Sequence, residues 1–444
     1  MTNRIPLIVN ASANQIQEVP SGDVVTLTNN ITSSNKTSGA LVVTGGVGIG
    51  GALHVGADIT AFASSDETLK DLKSRLQSSR FSPQLNDVGW NNGTSSSYMR
   101  EFLAYWLEEY DWRAQEKYLN NLMPQYIASI EGVDLHFVHK KSLNPNALTL
   151  VMTHGWPGSF FEFHKVLEPL VHPEKFGGQI SEAFDVLCPS LAGYAWSKPV
   201  YDQPCDVVKI AERQLQLLQL LEIKYFGLQG GDWGGLVTLQ LGHKYSKIVP
   251  AVHTHTIINL DFFDSPPLSE EDFAEDEKKF YHQNLKFWEE GHGYFQIQAT
   301  RPQTLSYAIN DSPIGLCAWL IEKRRDWSDC NGDIESIFTK DDLINTTMIY
   351  WLTESFGTSA RYYYEAAHNL WKPSHDRSPK VESATGFSVF EGDIIFRPKE
   401  LMEKANNLEH WNTFENGGHF APMEQPEIII NEIRKFFGRY RGLI

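Results

Sequence analysis

The chain has 444 residues, 41% apolar and 12% aromatic, with 38 Lys and Arg against 55 Asp and Glu and a formal net charge of -17. Its 12 Trp, 17 Tyr and 25 Phe supply far more buriable area than a disordered chain carries. An acidic surface whose longest basic run is Lys323-Arg324-Arg325 also argues against nucleic acid as a partner.

Residues 1 to about 60 stand apart, being rich in Gly, Ser, Thr, Asn and Val and lacking Trp and Tyr. Val24 to Leu27, Ala40 to Thr44 and Ala52 to Val55 are short β-prone runs separated by Gly-rich turns. The run Gly45-Gly46-Val47-Gly48-Ile49-Gly50-Gly51 lacks the Gly-Lys-Ser/Thr ending of a phosphate loop, so nucleotide binding is discarded. The segment Thr37 to Gly56 resembles repeats in the fibres of phages and large viruses. One copy cannot bury its own core, which leaves a weakly ordered extension or an oligomerising β module as alternatives.

Residues 61 to 145 are helix-prone and aromatic, with Phe102, Leu103, Trp106, Leu107 and Tyr110 at helical spacing, before a change to strand pattern at Tyr126. Strand and helix signals then alternate. Strands are predicted at Leu148 to Thr153, Phe184 to Cys188 and Tyr225 to Gln229, and helices at Phe160 to Leu170, Val207 to Leu221 and Gly234 to Tyr245. Such alternation implies a parallel sheet covered on both faces. It stops near His255 for an acidic, helix-rich insert, then resumes with Gly386 to Phe390, His410 to Phe414 and a helix from Pro426 to Tyr440. An insert between two portions of one sheet is a lid over the strand ends, where open parallel sheets bind ligands.

Gly230-Gly231-Asp232-Trp233-Gly234 joins an apolar strand to a helix, the setting of a nucleophile elbow, in which small residues permit a strained turn that exposes one side chain. The exposed residue here is Asp232; the plainer alternative is a Gly-Asp turn capping a helix. His154-Gly155-Trp156-Pro157-Gly158-Ser159 follows the preceding strand, and the main-chain N–H groups of Trp156 and Trp233 could form an oxyanion hole. Gly417-Gly418-His419-Phe420 precedes the last helix. Nucleophile, acid and histidine in that order match the α/β-hydrolase fold, whereas His154 belongs to the oxyanion loop and His253 and His255 come too early for the catalytic histidine.

With these motifs the chain resembles the epoxide hydrolases, specifically the microsomal and juvenile-hormone branch, over about residues 65 to 440. Further carriers are Tyr110-Asp111-Trp112-Arg113, Gly293-Tyr294, Gln298-Ala299-Thr300-Arg301-Pro302, Asp311-Ser312-Pro313 and Arg361-Tyr362-Tyr363. The resemblance implies an α/β-hydrolase fold with a mostly parallel central sheet. It implies an N-terminal meander over 61–145, core portions over 146–256 and 375–444, and a helical cap over 257–374. It implies Asp232 as nucleophile, His419 as base, Tyr294 and Tyr363 as the paired cap tyrosines, and Asp393 as the orienting acid in Phe390-Glu391-Gly392-Asp393. Glu391 stands where the family carries Pro, which leaves a second carboxylate two residues away.

The implied reaction turns a lipophilic epoxide and water into a vicinal diol and needs neither a metal nor an organic cofactor. Two rivals remain: a haloalkane dehalogenase, which also uses an elbow Asp, and a virion-associated binding protein on a hydrolase scaffold. Cys188, Cys205, Cys317 and Cys330 form no C-x-x-C pair and read as buried or free thiols. No run approaches the roughly 20 apolar residues of a spanning helix, and the N-terminus lacks the order of a signal peptide. The expectation is a soluble cytoplasmic protein, with virion association and a homo-oligomer raised by the fibre-like segment; the membrane anchor of animal members is absent.

Overall fold

The computed structural model describes residues 63–83, 88–201 and 205–441, together with the backbone of two short strands, β1 (Leu7–Asn10) and β2 (Gln15–Glu18). β1 and β2 pair antiparallel within a first unit, Met1–Ala57; the second unit is Asp58–Ile444. The β-prone runs expected between residues 24 and 55, and the fibre-like segment Thr37 to Gly56, lie outside the described residues.

The second unit opens with helices α1 (Asp66–Gln77), α2 (Ser96–Glu108) and α3 (Trp112–Leu122). Each begins at a side chain that accepts a main-chain N–H: Ser65, Ser95 and Asp111. Met99, Phe102 and Trp106 form the buried stripe of α2. Strands β3 (Gln125–Ile130) and β4 (Val133–Lys140) follow as an antiparallel hairpin.

Next come β5 (Leu148–Thr153), α4 (His164–Val171), β6 (Phe184–Pro189), α5 (Val207–Leu220), β7 (Phe226–Gly230), α6 (Trp233–Lys244) and β8 (Ala251–Thr254). The sheet order is β10-β9-β8-β7-β5-β6-β4-β3, parallel from β10 through β6. β5, β7 and β8 are buried at every position, and so is almost all of α6, as expected of a sheet covered on both faces. This is the α/β-hydrolase fold.

Between β8 and the next strand run α7 (Lys278–Lys286), α8 (Gly293–Thr300), α9 (Pro302–Asp311), α10 (Pro313–Asp326), α11 (Lys340–Leu352) and α12 (Phe356–His368). The sheet resumes with β9 (Val381–Gly392), α13 (Lys399–Ala405) and β10 (Asn406–Gly418), and closes with α14 (Ala421–Glu424) and α15 (Pro426–Phe437).

Two differences from the sequence reading have physical causes. β9 and β10 are much longer than the apolar runs Gly386 to Phe390 and His410 to Phe414. In β9 the polar side chains are satisfied locally, since Ser383 Oγ donates to the Gly242 and Val249 carbonyls and Thr385 Oγ1 to Ser383. β10 is an edge strand, so its outer positions are exposed and carry no apolar signal. The helix expected from Phe160 begins as a 3-10 turn, Phe160–Phe163, and becomes α-helical only at His164. That turn points Glu162 inward. All four cysteines are buried and free.

Candidate active site

Five strand ends meet at one edge of the sheet. Register pairs Thr153 of β5 and Thr254 of β8 with Gly230 of β7, and Gly418 of β10 with Gly392 of β9. The residues just beyond these ends are therefore neighbours: Trp156, Asp232, Thr256, Asp393 and His419.

Asp232 sits at the turn between β7 and α6 with φ 53° and ψ -125°, a left-handed conformation that costs a non-Gly residue roughly 1–3 kcal/mol. The surroundings hold it there. A Cβ on Gly230 would strike the Gly234 main chain, and a Cβ on Gly234 would run into the Thr153 carbonyl, so the turn closes only with glycine at both places. Asp232 N–H donates to Thr256 Oγ1 at 3.0 Å. Trp156 N–H donates to Asp232 Oδ1 at 2.8 Å, and the Trp233 N–H also stabilises this carboxylate. Burial leaves the Asp232 carboxyl raised above the usual carboxylate range, with His419 and the two N–H groups opposing the shift.

His419 Nε2 lies 3.7 Å from Asp232 Oδ2, and His419 Nδ1 is 2.7 Å from Asp393 Oδ1. Burial alone would lower the His419 pKa, but Asp393, Asp232 and Glu162 outweigh it and raise it to about 9. Of the two candidate acids, Asp393 faces the histidine. Glu391 turns outward to pair with Lys279 Nζ at 2.6 Å. His154, His253 and His255 are buried and bonded elsewhere, to the Leu191 N–H, Ser388 Oγ and the Gln229 amide, and burial depresses all three pKa values.

Tyr294 on α8 and Tyr363 on α12 face Asp232 across a narrow cavity. Their rings are 5.7 Å apart; Trp156 stacks on Tyr294 at 5.1 Å, and Trp233 packs edge-on against Tyr363 at the same spacing. Burial, and then the Asp232 charge, push the Tyr294 pKa up, so its phenol stays protonated; Tyr363 is likewise raised, with burial first. Neighbours on α12 diverge, as residues one position apart on a helix must: Tyr362 donates to the Ala192 carbonyl, and Tyr364 stacks on His368 at the surface. Phe262, Phe263, Phe287 and Trp288 also line the cavity.

This chain matches the model described as "Epoxide hydrolase N terminus" over residues 59–163 and that for the alpha/beta hydrolase fold over 149–291. A Stigmatella aurantiaca (strain DW4/3-1) protein assigned as an epoxide hydrolase is 36% identical over 387 residues, 86% of each chain. The chain belongs to the epoxide hydrolase family. Epoxide hydrolase 1 of Sus scrofa is 33% identical, covering 84% of this chain and 87% of that one. The Aspergillus niger epoxide hydrolase structure superposes with a TM-score of 0.74 at 29% identity, over 84% of this chain and 94% of that chain. Membership and fold together make this protein an epoxide hydrolase, against the dehalogenase and binding-module rivals. Among the described residues no helix is long and apolar enough to cross a membrane.

Three features of the epoxide hydrolase site escaped the sequence reading. Trp327, just after α10, packs edge-on against His419 at 5.2 Å and lies 5.0 Å from Tyr294, and its carbonyl accepts the His419 N–H. Arg324 reads as part of a surface basic run yet is 2% exposed and pairs with buried Glu162 at 2.9 Å. Glu424 accepts the N–H groups of Gly418, Phe420 and Asp329, bracing the turn that carries His419; burial still pushes its pKa up to about 7.

Proposed function

We propose that this epoxide hydrolase opens its substrate by direct attack of Asp232 and regenerates itself with His419. The observation that carries this reading is the division of labour within one carboxylate. Oδ1 is held by the Trp156 N–H, while Oδ2 is left toward His419 and the cavity. Oδ2 attacks an epoxide carbon as Tyr294 and Tyr363 donate to the departing oxygen; such general-acid help is worth about 10²- to 10⁴-fold. The ester that forms already has its carbonyl oxygen, Oδ1, against the Trp156 N–H, with the Trp233 N–H beside the same carboxylate. One such donor contributes roughly 3 kcal/mol when the ester is attacked.

Alkylation also arms the base. Asp232 is one of the anions that raise the His419 pKa, and esterification removes its charge. The imidazolium of the resting site becomes easier to deprotonate once there is an ester to hydrolyse. His419, oriented by Asp393, then takes a proton from water, the ester is cleaved and a vicinal diol leaves. The phenyl and indole lining favours a lipophilic epoxide. No step calls for a metal or organic cofactor.

Replacing His419 with Gln tests the scheme. Incubation with styrene oxide should leave a stable adduct on Asp232, seen by intact-mass spectrometry as one added epoxide. Rapid turnover without an adduct would overturn it. We propose further that residues 1 to about 60 form a fibre-like extension that assembles copies of the chain without taking part in turnover. Truncation after Ala57 should lower the particle mass in light scattering while kcat stays within about twofold, ~0.4 kcal/mol. Unchanged mass would remove the assembly role.

A further inference from the structure

Arg213 and Gln214 of α5 are polar residues in an apolar place, 2% and 4% exposed. Among the described residues none of the three guanidinium nitrogens of Arg213 finds a hydrogen-bond acceptor, and no carboxylate pairs with it. Gln214 Nε2 is likewise unpartnered, while Gln214 Oε1 accepts the Thr153 hydroxyl at 3.1 Å, which settles the end of the amide that is left over. Both side chains line one cavity, walled by Leu135 of β4, Ile210 of α5, and Leu191 and Ala192 just beyond β6. It has about 20 Å³ of room for water-sized centres, enough for one small species.

A guanidinium offers N–H donors and no acceptor, and it stays charged at any pH at which a protein folds. The acceptors of the adjoining loop are committed elsewhere. The Ser190 carbonyl accepts the Ser197 hydroxyl at 2.9 Å, the Leu191 carbonyl the Tyr194 N–H at 2.9 Å, and the Ala192 carbonyl the Tyr362 hydroxyl at 2.8 Å. Two ionisable acids feel the Arg213 charge, yet neither neutralises it. Burial pushes the Cys205 thiol up to about 11 and raises the Tyr362 phenol as well, so both are protonated at neutral pH. A buried cation without a counter-charge is strongly destabilising, and water would satisfy its N–H groups without balancing the charge.

We propose that Arg213 and Gln214 hold a small monovalent anion, chloride, in this cavity. The guanidinium supplies the charge and the Gln214 amide a further N–H, and the apolar wall strengthens the pairing by keeping water away. Size selects the ligand. Sulfate and phosphate, with four oxygens around a central atom, exceed a space made for one water-sized sphere. The site is separate from the cavity in front of Asp232, with which it shares no lining residue. It meets the catalytic framework through its neighbours. The Thr153 hydroxyl on Gln214 belongs to the last residue of β5, and the Leu191 N–H donates to His154 Nε2 at 3.2 Å, beside Gly155 and Trp156. The anion is therefore a structural ligand that ties α5 to the ends of β5 and β6 and takes no part in the reaction.

The test uses the full chain and two halides. Crystals grown in sodium bromide should give an anomalous bromide peak in the cavity, within hydrogen-bonding reach of the Arg213 guanidinium and Gln214 Nε2. In solution, protein exchanged into sodium gluconate, whose anion is too large for the cavity, is titrated with chloride or bromide at constant ionic strength while thermal unfolding is followed. Either halide should raise Tm by about 3 °C over gluconate alone. Arg213→Met keeps the apolar stem and removes the charge, so its Tm should not respond to halide. The bromide diffraction measurement on the unaltered chain decides the matter if that variant does not fold. Density for water without an anomalous peak at Arg213 would overturn the inference. So would a Tm that gluconate and halide raise equally, or a halide response that survives in Arg213→Met.

Discussion

The main-chain N–H of Trp156 holds Asp232 Oδ1 at 2.8 Å, although 76 positions separate the two residues. In the proposed scheme this contact sets which oxygen attacks and which waits in the oxyanion hole. On the same scheme a carboxylate suits this elbow, because Asp232 would need no base to act as nucleophile and His419 would serve only the second step. The two residues then communicate by charge.

That communication gives the first prediction. His419 titrates at about 9, with Asp393, Asp232 and Glu162 raising it against burial. Asp232→Asn removes an anion from beside the imidazolium, which destabilises the protonated form, so the midpoint must fall below about 9. Imidazole NMR titration of wild type and variant measures it. An unchanged midpoint would mean that esterification does not arm the base.

The two acids make the second. Asp393 Oδ1 lies 2.7 Å from His419 Nδ1, and on the proposed orienting role Asp393→Asn should cost about 10⁴-fold in ester hydrolysis, as an amide favours the wrong imidazole tautomer. Glu391 pairs with a half-exposed Lys279, an interaction worth about 0–1 kcal/mol. Glu391→Gln should keep kcat within about twofold. The reverse ranking, read from single-turnover ester decay, would move the orienting role to Glu391.

What the sequence disclosed follows from which signals are local. The elbow was legible because glycines around Asp232, an apolar strand before it and a helix after it all lie within about twenty residues. Tyr294 and Tyr363 came from the family resemblance, since no local pattern marks a cap tyrosine. The family pattern placed the acid at Asp393 with Glu391 as a second carboxylate beside it; the direction each takes at the end of β9 is no local signal, since Glu391 is drawn to Lys279 of α7, more than a hundred positions away. Glu162 and Arg324 are 162 positions apart, and nothing in the run Lys323-Arg324-Arg325 marks its middle residue as buried. Trp327 was hidden for the same reason: its significance lies in packing on His419 and Tyr294, contacts between segments that composition and periodicity treat separately.

The last prediction concerns the tyrosines. Each phenol is buried and each pKa is pushed above the ordinary tyrosine value, so both are protonated hydrogen-bond donors at neutral pH. Two donors share one developing alkoxide, so losing one weakens its stabilisation while the other remains. Tyr294→Phe and Tyr363→Phe should each slow alkylation by about 10- to 100-fold, and the double variant by at least about 10³-fold, within the range expected of general-acid help. Ester hydrolysis should be spared in all three, because that step draws on His419, Asp393 and the oxyanion hole. Trp156 and Trp233 pack directly on the two tyrosine rings, so stopped-flow Trp fluorescence should follow the ester as it forms. A single variant that alkylates at the wild-type rate would show that its hydroxyl does not reach the epoxide oxygen. Equal slowing of both steps would mean instead that the lost hydroxyl holds the site in shape and does not act on the epoxide oxygen alone.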